Sequence, residues 1–112
     1  MPTHLDEWQE SDFDTALNKK ETCVVEFSAP WCNACKATEP VVAEIAKTKT
    51  EIKFAKIDVS KNASLASRMG IMSLPNILFI AEGKIKEQII GLANKTKIEE
   101  KLTKLEQAKV LA

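Results

Sequence analysis

The chain has 112 residues, 45% of them hydrophobic, and its 16 Lys plus Arg are matched by 16 Asp plus Glu. That length holds one domain with a real core, read as a single domain over 1–112, and leaves little room for two. Zero net charge with Arg68 as the only arginine speaks against nucleic acid as partner, because phosphate recognition needs a net basic surface and guanidinium forks. No apolar run reaches the length that spans a bilayer. The segment Met1 to Trp8 has neither the basic start nor the apolar core of a signal peptide, which predicts a cytoplasmic location.

In chain order, the residues before Ser11 give weak support for a short edge strand. Ser11 is the expected cap of a first helix through Phe13, Ala16 and Leu17, with Asp12 and Asp14 well placed against its dipole. Cys23-Val24-Val25-Glu26-Phe27 reads as a buried strand running into the corner Pro30-Trp31-Cys32. A helix is expected from Cys35 to about Thr48, with Val41, Val42 and Ile45 as its apolar stripe and a bend at Pro40.

Ile52 to Ile57 is the next strand, and Asn62 opens a short helix carrying Leu65 and Met69 that stops at Gly70. Asn76 to Ile80 and Ile85 to Ile90 flank a turn at Glu82-Gly83 and form an antiparallel hairpin. Asn94 caps a last helix with Ile98, Leu102 and Leu105 on one face. Strand–helix–strand followed by a hairpin predicts an α/β domain: a mixed central β-sheet flanked by helices on both faces. Central strands of such a sheet are apolar on both sides, and Glu26 and Lys56 break that rule.

Cys32-Asn33-Ala34-Cys35 stands between a buried strand and a helix. At a helix start, free backbone N–H groups and the dipole favour an anion, so the Cys32 thiol should ionise readily and attack disulfides. Cys35, one turn on and more enclosed, suits resolution of the mixed disulfide. Structural zinc needs four ligands, and only Cys23 and His4 stand ready to join the pair, so no metal is expected. Cys23, deep in a strand pattern, is read as an inert buried thiol rather than a regulatory one. Glu26 is the candidate proton acceptor for Cys35, its proton held tightly by burial. Lys56 either pairs with Glu26 or snorkels from a half-exposed face, and Lys36 is a surface charge near the thiolate.

The segment Val25-Glu26-Phe27-Ser28-Ala29-Pro30-Trp31-Cys32-Asn33-Ala34-Cys35-Lys36 resembles the active-site segment of the thioredoxin family. The resemblance continues through Pro40, Ala55-Lys56-Ile57-Asp58, Gly70-Ile71, Leu74-Pro75, Gly83 and Gly91, and covers nearly the whole chain. It implies the thioredoxin fold and a protein-disulfide reductase without bound cofactor. Its partners would be disulfide-containing proteins, with a disulfide reductase as electron donor. By the same resemblance, Pro75 is a cis-proline facing the cysteines, and Trp31, Val59, Ile71, Leu74, Pro75, Ile90 and Gly91 line an apolar substrate groove. For Ile71 and Ile90 a place in the core is an equal expectation.

Three departures from the family pattern stand out. Asn33-Ala34 replaces the usual Gly-Pro, which tunes the potential in a direction the sequence does not reveal; about 30 mV is a tenfold change in exchange equilibrium. Glu26 stands for the buried aspartate, and Ser28 for a tryptophan, which opens space beside the cysteines. An oxidase or isomerase of the same fold, or a binding module with little turnover, are the competing expectations.

Overall fold

The computed structural model describes the backbone of residues 5–111 and the side chains of residues 5–107. The reading of the first residues as free of a leader, and His4 as a spare metal ligand, fall largely or wholly outside that range. The element order is β1 (Asp6–Glu7), α1 (Glu10–Asn18), β2 (Cys23–Ser28), α2 (Asn33–Ala46), β3 (Lys53–Asp58), α3 (Ala63–Arg68), β4 (Asn76–Ala81), β5 (Lys84–Ile90) and α4 (Lys95–Leu111). The strands form one sheet in the order β1-β3-β2-β4-β5. β1 and β2 run parallel to β3, whereas β4 is antiparallel to both β2 and β5. The expected mixed sheet with helices on both faces is therefore present.

Side chains of a strand alternate between faces, and β2 serves two cores by that rule. Cys23, Val25 and Phe27 enter a cluster with Phe13 and Ala16 of α1 and Leu65 of α3. Val24 enters the opposite cluster with Val42 and Ile45 of α2 and Ile98, Leu102 and Leu105 of α4. Burying those three α4 side chains explains why a helix with an otherwise charged surface docks here. The β4–β5 turn places Glu82 and Gly83 at φ 57° and 74° in succession, the geometry of a two-residue turn matched to strand twist.

Several boundaries differ from expectation. Gln9, not Ser11, caps α1: its N–H donates to Asp12 Oδ2 at 2.8 Å, and Ser11 lies inside the helix. The acidic residue three positions after a cap closes the first turn from its own side chain, and that reciprocal bond outweighs the intrinsic preference for serine. Helix α2 starts at Asn33 rather than Cys35, because Cys32 itself serves as the cap. The edge strand β1 exists but has only two residues. Asn94 caps α4 as expected, its Oδ1 accepting from Lys97 N at 2.9 Å.

Candidate functional site

The register brings the scattered candidates to one end of the sheet. Phe27 pairs with Asn76 and Asn76 with Ile90, while Ser28 pairs with Asp58. The segment after β2 (Pro30, Trp31, Cys32), the residue after β3 (Val59), the residue before β4 (Pro75) and the end of β5 (Ile90, Gly91) therefore all leave the sheet at the same end of its strands. Val59 N donates to Ser28 O at 2.9 Å and Gly91 N to Pro75 O at 2.8 Å, which fixes those loops to one another. Gly91 lies at φ 94°, where a side chain would be strained. The Leu74–Pro75 peptide is cis.

Cys32 and Cys35 are joined as a disulfide. Cys32 is half-buried and extended (φ −91°, ψ 104°), and its Sγ accepts from Cys35 N at 3.1 Å. One of the orphan amides of the first turn thus points at that sulfur, the arrangement that stabilises a thiolate once the disulfide opens. Cys35 is only 3% exposed. Of the two sulfurs, Cys32 is therefore the one a protein partner can reach. Asn33 is exposed, while Ala34 is half-buried and its carbonyl accepts from Thr38 Oγ1 at 2.8 Å.

Around the pair, Trp31 is 69% exposed and Ile90 is also exposed, so Ile90 belongs to the rim and not to the core. Val59, Ile71 and Leu74 are half-buried and pack on the α1/α3 cluster, while Pro75 is buried. Val59, Ile71 and Leu74 also line a groove of about 580 Å³ with Met72 and the small residues of α3. Met72, 93% exposed, extends this apolar surface and has no counterpart among the residues that the sequence pattern points to. A lone methionine in a loop has no pattern to betray it.

Glu26 is fully buried, and neither carboxyl oxygen has a hydrogen-bond partner among the described residues. Burial pushes its pKa up to about 8; the negative charge of Glu39 adds to the rise and Lys56 opposes it. Glu26 therefore does not reach a sheet edge to pair with a surface lysine. Of the two readings of Lys56, the pair with Glu26 is not formed: Lys56 Nζ lies 3.2 Å from Glu39 Oε2 on α2, and its side chain stays partly exposed. Two half-screened charges meet there without the full desolvation that pairing at Glu26 would demand. Glu39 also accepts from Leu5 N at 3.0 Å. It lies four residues after Cys35, one helical turn away on the same face, which was the available sequence signal for it.

A cavity of about 240 Å³ lies beside the disulfide, lined by Ser28, Ala29 and Pro30, by Cys35, Lys36 and Glu39 of α2, and by Glu7, Lys56 and Asp58. Its presence at Ser28 fits the space expected there. Lys36 is exposed, as read. Cys23 is buried and unpaired, and burial together with Glu21 raises its thiol to about 12 against the opposing charge of Lys53. It is inert at physiological pH. No group of three or more His, Cys, Asp or Glu placed to hold a metal occurs among the described residues. No helix among them is long and apolar enough to cross a membrane.

A strand-to-helix corner carrying a close redox-active cysteine pair, with a cis-proline at the same end of the sheet, defines a thiol–disulfide oxidoreductase. The Thioredoxin family model matches residues 4–104. Thioredoxin H5 of Arabidopsis thaliana is 38% identical over 100 residues, spanning 89% of this chain and 83% of the relative. The thioredoxin of Mycoplasmoides gallisepticum is 33% identical over 92 residues, with 82% and 92% covered. Among solved structures, a thioredoxin from Nicotiana alata superposes with TM-score 0.83 at 29% identity, covering 93% of this chain and 94% of its own. The Fasciola hepatica thioredoxin gives TM-score 0.77 at 34% identity, covering 85% and 92%. The chain belongs to the thioredoxin family, and its activity is that of a protein-disulfide reductase.

Proposed function

We propose that Cys32 is the attacking thiolate and Cys35 the resolving thiol in the reduction of protein disulfides. The Cys32 thiolate attacks one sulfur of the partner disulfide, forming a mixed disulfide and releasing the partner's other thiolate. Cys35 then loses its proton and attacks Cys32 Sγ. The Cys32–Cys35 bond forms, the mixed disulfide breaks, and two electrons have passed to the partner. The proton of Cys35 goes to Glu26, whose affinity near the operating pH suits a group that must both take and return it. Lys56 acts on the charge of that carboxyl from the neighbouring strand. The observation that carries the assignment is the Cys35 amide donating to Cys32 Sγ at the mouth of α2, with Cys35 itself enclosed.

The partner is an extended segment laid across Trp31, Val59, Ile71, Leu74, Pro75, Ile90 and Gly91. Exposed apolar side chains around a reachable sulfur, and backbone free to pair with a strand, support this. Asn33 and Ala34 set the potential through the first turn of α2. A disulfide reductase regenerates the dithiol. The chain works as one domain over 1–112 and serves electron transport and redox homeostasis in the cytoplasm. A dithiol that must be kept reduced, and an unpaired Cys23 outside the motif, suit a reducing compartment.

Cys35→Ser should accumulate a mixed disulfide with a disulfide-bonded protein such as insulin, resolved on adding a small dithiol, and Cys32→Ser should form none. A trap that forms equally in the Cys32→Ser variant would reverse the roles. Equilibration of the wild-type pair with glutathione tests the direction: a midpoint near about −270 mV supports the reductase, and one near about −120 mV marks an oxidase.

A further inference from the structure

Lys56 stands in strand register between two carboxylates, Glu26 of β2 and Glu7 of β1, and takes neither. It is the direct register partner of Glu26 across β2 and β3, yet its ammonium sits on Glu39 of α2, 3.3 Å from Oε1 and 3.2 Å from Oε2. Glu39 is in turn held by Leu5 N at 3.0 Å, so the acceptor for Lys56 is anchored from the start of the described chain. Glu26 is left fully buried, with both oxygens unpartnered among the described residues. We propose that Glu39 is a positioning residue: by capturing the Lys56 ammonium on α2, it keeps Glu26 without a cation and so preserves Glu26 as a strong base for Cys35.

The surroundings of Glu26 leave no substitute for Lys56. β4 offers it Ile77, and α4 offers apolar side chains. Of the charged residues lining the adjacent cavity, Glu7 lies 3.7 Å from Lys61, Asp58 accepts from Ser60 N and Oγ, and Lys36 is exposed. Lys56 is thus the one cation among these groups whose position decides the charge of Glu26. Without the Glu39 carboxylate, and with its other register partner Glu7 already holding Lys61 at 3.7 Å, Lys56 would turn to Glu26. An ion pair there favours the ionised carboxyl and weakens it as a base. The rate of mixed-disulfide resolution should then turn on at lower pH and level off at a lower alkaline plateau. This kinetic consequence rests on the proposed Cys35–Glu26 proton transfer, whereas the effect on the ionisation of Glu26 stands apart from it.

The test is a titration of the Glu26 carboxyl by ¹³C-edited NMR in the oxidised full-length chain. Glu39→Gln keeps the shape and an oxygen for Leu5 N, and should lower the proton affinity of Glu26 by about tenfold or more. In a Lys56→Met background, the same substitution should lower it distinctly less, by the direct repulsion of Glu39 alone, since no ammonium remains to move. Lys56→Met alone, a second variant that does not disturb Glu39, should shift Glu26 the opposite way. An unchanged titration in Glu39→Gln overturns the proposal. An equal fall with and without Lys56 also overturns it, because simple repulsion by Glu39 would then account for everything. Glu26→Gln, followed through resolution of the trapped mixed disulfide, addresses the other reading separately: unimpaired resolution would remove Glu26 from the proton path and leave the titration results standing.

Discussion

The two faces of the sheet are built from the same strands yet do different things. Toward α1 and α3, β2 sends Cys23, Val25 and Phe27 into a cluster with no charged member, closed by the edge-to-face pair Phe13–Phe27 at 6.0 Å. Toward α2 and α4 it sends Val24 into an equally apolar cluster, but also Glu26, and β3 adds Lys56. The first face tolerates even a thiol only as an inert filler. The second carries a buried carboxyl, with Glu39 of α2 and Lys56 of β3 close enough to shift its pKa. Among the described residues, the one fully buried charged group therefore lies on the α2/α4 side of the sheet, and the α1/α3 core is apolar.

The largest effect that separates the faces should come from Phe27→Ala. It removes a fully buried ring from the α1/α3 face and should cost about 3–5 kcal/mol in denaturant unfolding, with the pH dependence of stability unchanged in shape. A variant whose pH dependence alone changed would contradict the division.

Glu26→Leu tests the other face and should have the opposite sign. The native oxidised protein holds the Glu26 proton up to about pH 8, whereas an unfolded carboxyl loses it near 4.5. Between these values the folded state binds more protons than the unfolded one, so the contribution of Glu26 to stability is fully present below about 4.5 and lost as pH rises toward about 8. Above that pH, Glu26→Leu should be more stable than wild type by a few kcal/mol, at most roughly 5, and the gap should shrink steadily toward pH 4.5. Urea midpoints at intervals across that range check it; a constant gap would mean that Glu26 is not held protonated. The same variant should resolve mixed disulfides more slowly.

The smallest effect is expected on the outer surface. Lys101 and Glu87 link α4 to β5 at 3.0 Å but are half-exposed. Lys101→Met should cost under about 1 kcal/mol in the same unfolding experiment, and less at high salt. A loss comparable to Phe27→Ala would show that α4 is pinned by charge and not by Ile98, Leu102 and Leu105.

Much of this was legible in the residues alone, and for physical reasons. Alternating or continuous apolar runs specify strands locally, Asn94 caps the helix that follows it, and the Glu82-Gly83 pair suits its turn without distant help. Cys32 and Cys35 are close along the chain, so their pairing needs no fold to bring them together. Misreadings fell where a local preference met a competing local bond, as at Ser11 and Gln9, or where a residue had a choice of partners.

Lys56 is the clearest instance. The sequence determined that a lysine and a glutamate stand in adjacent strand patterns. Which carboxylate the ammonium takes depends on desolvation, on where α2 lies over the sheet, and on the anchoring of Glu39 by Leu5, 34 residues away. Likewise Ile90 suits a core as well as a groove by its side chain, and its place at the end of β5 leaves it exposed. Local chemistry and spacing decided that this chain carries a redox dithiol. Long-range packing decided the environment in which that dithiol exchanges its proton, because burial and charge pairing are properties of the assembled sheet and helices.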